Sequence, residues 1–376
     1  MKRNFGGIKT YQIVLLIALA LFGILVGSFY DLSLAEKFFY PGNLFGKALD
    51  AVGSLPGYAL LGASGILLYF FFKNSGPKWR DYLAYGFLVG LPIIAGALWG
   101  YDVLGDFVSK ILYAVGLGIA IVAVLDSAFY FFAKGCDRVE GYKDAVAILF
   151  SAFVVIVLVY VLKKSVVRPR YLFLADNGIG YFQPWYVFSS SIASIFSGDE
   201  YSALLNSWPS GHAAMAGFGV LFVLLAKLNK KTAGKETIFF FASLFWIIFV
   251  ALARMSDGHH FLSDVSWGVL IGSGFSFLTI VLVYGARPEL DKAIAANVKF
   301  DSLTKGRRRW KWDEWLLHKT QNRESLTFDS REYLAIRRAN NAEQRTSTSS
   351  RPSFKLSKTK KSAKDDPNSD DRKINQ

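Results

Sequence analysis

Apolar runs long enough to cross a bilayer recur along most of this chain, and they fix what it can fold into. They fall near Tyr11–Phe29, Leu55–Phe72, Tyr82–Gly100, Ile111–Phe132, Val146–Leu162, Ala213–Ala226, Thr237–Ala253 and Val265–Tyr284. A hydrocarbon layer takes roughly 20 helical residues to cross. Backbone groups in lipid must be satisfied within their own segment, which leaves helices as the spanning elements. The expected fold class is all-α, a polytopic membrane helical bundle of about eight spans. Composition agrees, with 52% hydrophobic residues, 16% aromatic residues and a mean hydropathy of +0.30, values high for a soluble domain. The first run follows Lys2, Arg3 and Lys9 but is long for a signal peptide and lacks a small-residue cleavage site, so it reads as a retained span.

Basic residues in short loops orient the spans. The amino terminus, the loop with Lys73, Lys78 and Arg80, the loop with Lys134, Arg138 and Lys143, and Lys227, Lys230, Lys231 and Lys235 fall on one side. That side is expected to be cytoplasmic and to carry both termini. Much of the net charge of +14 lies after residue 286, so it argues for a basic tail and not for nucleic-acid binding. Within that tail Gly306–Lys319, which holds His318, fits an amphipathic inner-leaflet helix or an ordinary soluble one. From about residue 340 the composition is that of a disordered segment. Cys136 is the only cysteine, which excludes an intramolecular disulfide and a multi-cysteine metal site.

Three polar segments interrupt this pattern, and alternation puts all three on the opposite, extracytoplasmic face. Lys163-Lys164-Ser-Val-Val-Arg168-Pro-Arg170 is a basic cluster on the side where the topology rule disfavours one. Such cations have another task, and binding an anion is the obvious one. Pro209-Ser210-Gly211-His212 opens a span, where free helix N–H groups favour an anion. Ala253–Asp264 holds Arg254, Asp257 and two of the chain's four histidines, His259 and His260, with Asp264 four residues after His260. An imidazole oriented by a carboxylate beside cations suits phosphoryl transfer, in which cations and N–H groups neutralise the equatorial oxygens. A polar loop that only faces water would explain the charges, but not the concentration of histidines. No acidic cluster of divalent-metal type accompanies the segments, so no cofactor and no metal are expected. The aromatic residues Tyr171, Phe173, Tyr181, Phe182, Trp185, Tyr186 and Phe188 between them read as an interfacial belt.

The three segments resemble, in order, the motifs of the type 2 phosphatidic acid phosphatase (PAP2) superfamily, and the chain looks like a bacterial membrane lipid phosphatase of that kind. Lys163 and Arg170 match the first motif, with Tyr171 where the family has proline. Pro209–His212 matches the second. Arg254, His260 and Asp264 match the third, with Ala253 where the family has serine. The resemblance implies a six-helix core. The expected division is membrane spans over 1–80, a catalytic domain over 81–285 and a basic cytoplasmic tail over 286–376.

The resemblance also implies roles. His260 is the nucleophile that forms a phosphohistidine, Asp264 orients it, and His212 is the general acid and base. Lys163, Arg170, Ser210, Gly211 and Arg254 hold the phosphoryl oxygens, with Arg168 as an extra cation. The expected activity is metal-independent hydrolysis of a lipid phosphate or pyrophosphate at the outer face of the cell membrane. Undecaprenyl pyrophosphate, phosphatidylglycerophosphate and phosphatidate are the candidate substrate types. The alternatives are a lipid phosphotransferase and a non-catalytic phospholipid-binding or transport protein. The bilayer and the lipid phosphate are the expected partners, and the sequence leaves the oligomeric state open.

Overall fold

The structure, a computed structural model, describes residues 4–284 except 6, 76, 104–109, 188–191, 193–194, 197–200 and 202. Phe188 of the aromatic belt and the whole 286–376 tail, His318 and Gly306–Lys319 included, lie outside the described residues. Two short strands, β1 (Asn4–Phe5) and β2 (Ile8–Lys9), pair antiparallel ahead of the helices. The helices are α1 (Thr10–Phe38), α2 (Leu44–Val52), α3 (Leu55–Phe72), α4 (Lys78–Asp102), α5 (Ile111–Ala133) and α6 (Arg138–Ser165). They continue as α7 (Tyr171–Asn177), α8 (Gly211–Phe218), α9 (Phe222–Leu225), α10 (Glu236–Ser256) and α11 (Leu262–Tyr284).

Seven segments among the described residues are long and apolar enough to cross a membrane: α1, α2 with α3, α4, α5, α6, α10 and α11. The expected span at Ala213–Ala226 is shorter than the other seven, although it still leads from the Gly211 end of the bundle to the Lys227 end. Gly211–Leu225 is a shorter apolar segment, broken by a 3-10 turn at Gly219–Leu221 into α8 and α9. Fifteen residues rise only about 22 Å, short of a hydrocarbon layer. Its side chains from Ala213 to Leu221 are all buried, so it forms the centre of the bundle and not a lipid-facing wall.

Around that centre, α11 packs against α1, α6, α8 and α10, while α3 packs against α4, α5 and α6. The approach of α8 to α11 is backbone to backbone. A Cβ on Gly268 would collide with the Ser210 carbonyl, and one on Gly272 with the Ala214 carbonyl. Small residues at i and i+4 permit this contact, the usual device for membrane helices that lack a hydrophobic drive toward each other. Its consequence is positional, because it brings the start of α8 against the start of α11.

Polar residues collect at the two ends of the bundle. At one end Lys227 donates to Glu140 at 2.8 Å and to the Tyr284 hydroxyl at 2.5 Å, and it lies 3.3 Å from Asp144. Arg138 donates to the Phe70 carbonyl at 3.1 Å, and Lys9 to Thr237 at 3.2 Å. Burial opposes the Lys227 charge, but Asp144 and Glu140 outweigh it and raise its pKa. The expected motif residues gather at the other end.

Candidate active site

Backbone hydrogen bonds lace the three polar segments together. The Arg168 N–H donates to Leu205 and the Ser207 N–H to Arg168, at 2.8 and 2.9 Å, which ties the first segment to the approach of the second. The Ser210 N–H donates to the Asp264 carbonyl at 3.1 Å, tying the second to the third. The Leu172 N–H donates to Gly258 at 2.9 Å and closes the ring. Gly258 carries this turn with φ +75, and a Cβ there would meet the Phe39 ring at 2.6 Å, so no other residue suits the position.

Six of the nine expected residues line one cavity of about 200 Å3: Lys163, Arg170, Gly211, His212, Arg254 and His260. Lys163 lies in the last turn of α6, and its Nζ donates to the Asn206 carbonyl at 3.3 Å. Arg170 is the residue before α7, and Tyr171 begins that helix, its ring packed on Phe39 and Phe261. Arg254 occupies the last turn of α10 and is buried.

His260 precedes α11 instead of sharing a helix face with Asp264, which sits in that helix's first turn. The two meet across the turn, with Nδ1 of His260 3.8 Å from Oδ2 of Asp264. That is too long for a hydrogen bond, and Nδ1 has no other partner. His260 is only 2% exposed. Burial, then the charges of Lys163, Arg254 and Arg170, hold its pKa well below the ordinary histidine value. It is therefore neutral at pH 7, the form a nucleophile requires. In a histidine NMR titration, assigned by difference with His260→Gln, its ring signals should stay unshifted from roughly pH 8 to roughly pH 6. A midpoint near the unperturbed value of about 6.5 would contradict this electrostatic picture.

The remaining three expected residues stand behind the cavity. Asp264 is fully buried and receives the Ser207 hydroxyl at 2.6 Å, the Phe261 N–H at 2.9 Å and the Arg168 guanidinium. Ser210 is the residue before α8, where its hydroxyl accepts weakly from the Ala213 N–H at 3.4 Å. Arg168 corrects the expectation of an extra phosphate-binding cation. Its side chain is fully buried and points to Asp264, to Asp31 at 2.8 Å, to the Ser263 hydroxyl at 2.9 Å and to the Gln183 carbonyl at 2.8 Å. The Phe261 ring lies against it, 4.4 Å from the guanidinium carbon. Four of its five N–H donors have protein acceptors, and the side chain is fully buried and does not line the cavity. Of the neighbours to which the sequence assigned no role, His259 is 2.8 Å from Asp257.

Two carboxylates in the cavity wall lie outside the three segments. Asp50 of α2 pairs with Arg254, and its carbonyl is 2.9 Å from His212 Nε2. Because a carbonyl only accepts, this contact requires the Nε2–H tautomer of His212. Asp102 at the end of α4 accepts from the Tyr58 hydroxyl at 3.3 Å. Neither position carries a motif, and Asp50 is 204 residues from its arginine. Asp50, Asp257 and His259 also present ligand atoms within 4.8 Å of one another. Arg254 bonds both of those carboxylates, Asp257 at 3.3 Å, and a fixed cation there opposes a metal ion.

The arrangement gathers three basic side chains around a buried histidine at one end of a membrane helical bundle. Residues 144–288 match the family model of the PAP2 superfamily, which supports membership of that superfamily. The superfamily generally comprises phosphatases acting on phosphate esters, which supports a phosphatase role. Comparison with curated proteins and with solved structures gave no match. The matched segment includes all three polar segments and begins inside α6, so α4 and α5 of the expected 81–285 domain fall outside it.

Proposed function

We propose that the protein hydrolyses a lipid phosphate or pyrophosphate, without a metal, through a phosphohistidine on His260. The observation that carries this reading is the meeting of His260, His212, Lys163, Arg170 and Arg254 around one cavity, with Asp264 behind His260. Nδ1 faces Asp264, so Nε2 is the attacking atom. It forms a bond to phosphorus as the bond to the leaving oxygen breaks, and His212, entering the step as its imidazolium, gives that oxygen a proton and is left neutral. Water, deprotonated by His212, then attacks the phosphohistidine and releases phosphate. Asp264 stabilises the imidazolium that forms, and the three cations with the Gly211 N–H neutralise the phosphoryl oxygens. Substrate entry replaces two internal contacts, that of Asp50 on Arg254 and that of the Asp50 carbonyl on His212.

A lipid is favoured over a soluble ester by the cavity's α6 wall. Val155, Ile156, Val159 and Tyr160 line it, and Tyr160 is 64% exposed on the bundle's outer surface. A head in the cavity can thus trail its chain along α6 into the bilayer. The outer face of the cell membrane is the proposed location, a reading supported by the basic residues Lys9, Lys73, Arg138 and Lys227 at the opposite end.

The test is phosphate release by purified protein in excess EDTA from prenyl pyrophosphate, phosphatidylglycerophosphate and phosphatidate. Release from at least one lipid, undiminished by EDTA, is expected. Activity restored only by an added divalent ion would overturn the metal-free mechanism, and lipid bound without release would favour a binding protein.

A further inference from the structure

Outside the matched segment, α3, α4 and α5 line a second cavity, of about 420 Å3, that opens to the outer surface of the bundle at Val89 and Phe131 and has a carboxylate in its wall. Asp126 lies in α5, seven residues before its end and therefore well inside the apolar run. The residue is 3% exposed, and its Oδ2 has no hydrogen-bond partner. It packs so closely on α3 that a Cβ on Gly62 would collide with it. An ionisable group at such depth is costly and is ordinarily paired. Among the described residues no lysine, arginine or histidine lines this cavity, so nothing in the wall supplies the missing partner.

The rest of the lining says what would. Tyr130 and Phe131 contribute aromatic rings, whose faces attract cations. The Ser127 hydroxyl already donates to the Ala123 carbonyl at 2.7 Å, so it offers only lone pairs. Leu88 and Pro92 make the opposite wall apolar. Electron-rich groups in an otherwise apolar chamber suit a positive head on a hydrocarbon body. A small inorganic cation would find too few oxygen ligands. A zwitterionic phospholipid would bring a phosphate that no cation here can meet.

We propose that this cavity binds an amphiphilic amine without a phosphate, its ammonium paired with Asp126 and its chain against α4. If the amine enters neutral and Asp126 protonated, the carboxyl proton moves to the nitrogen and an ammonium carboxylate pair forms. The site is separate from the His260 cavity and stands whether or not the phosphatase reading does.

The probe is dodecylamine, with dodecanol and dodecyl sulfate as controls, read as the thermal unfolding shift of the full-length protein in mild detergent. Dodecylamine should stabilise saturably while the controls do not, and Asp126→Asn should raise its half-saturating concentration at least about tenfold. Leu88→Trp, which keeps the carboxylate but fills the chamber, should do the same, and it decides the matter if Asp126→Asn fails to fold. Equal stabilisation by amine and alcohol, or an unchanged response in the variant that folds, would overturn the proposal.

Discussion

His260→Gln should abolish turnover, with a loss on the order of 10⁵-fold or more, the scale seen when a covalent nucleophile is removed. Glutamine is preferred to alanine because His260 is buried at the cavity wall, where truncation would leave a void as well as remove the nucleophile. The thermal unfolding midpoint should therefore stay close to wild type while phosphate release disappears. Phosphate release within about tenfold of wild type would remove His260 from the chemistry, because a covalent step has no substitute in an amide.

The second large effect separates two arginines that are two residues apart. Arg168→Met should destabilise the fold by about 3–5 kcal/mol, because it leaves Asp31 and Asp264 buried without a counter-charge. Adding Asp31→Asn should return part of that loss, since one of the two orphaned charges is then gone. Arg170→Ala should do the reverse. Its side chain borders the cavity, so it should leave the unfolding midpoint nearly unchanged and slow turnover by roughly 10²-fold, about 3 kcal/mol of transition-state stabilisation. A catalytic defect in a stable Arg168→Met protein would mean that Arg168 touches substrate after all.

Membrane helices were legible because length and apolarity are local properties. Site residues in the three polar segments were legible because each segment breaks the apolar pattern beside a span. What escaped depended on contacts between distant parts of the chain. Asp50 and Asp102 stand in the cavity wall only because α2 and the end of α4 come to the same cavity as the end of α10 and the residues before α11. Asp31 lies just beyond the apolar run that the sequence ends near Phe29, and α1 continues to Phe38 and carries it to Arg168. Arg168 was misplaced for the same reason. Its charge suggested a phosphate ligand, and only its partners show that it clamps Asp264 from behind. The burial of Ala213–Ala226 at the centre of the bundle was not legible, because apolarity alone does not distinguish a lipid-facing helix from a buried one.

The most direct measurement is a rapid acid-free quench of the protein turning over a lipid phosphate, followed by mass spectrometry of its histidine peptides. His212→Gln should be run beside wild type with an aryl phosphate whose leaving group needs no proton, since it should then slow only hydrolysis of the intermediate and let it accumulate. The account predicts one phosphoryl group on His260, enriched in His212→Gln and absent from His260→Gln. A phosphoryl group on another residue, or sustained turnover with none on the protein, would contradict it.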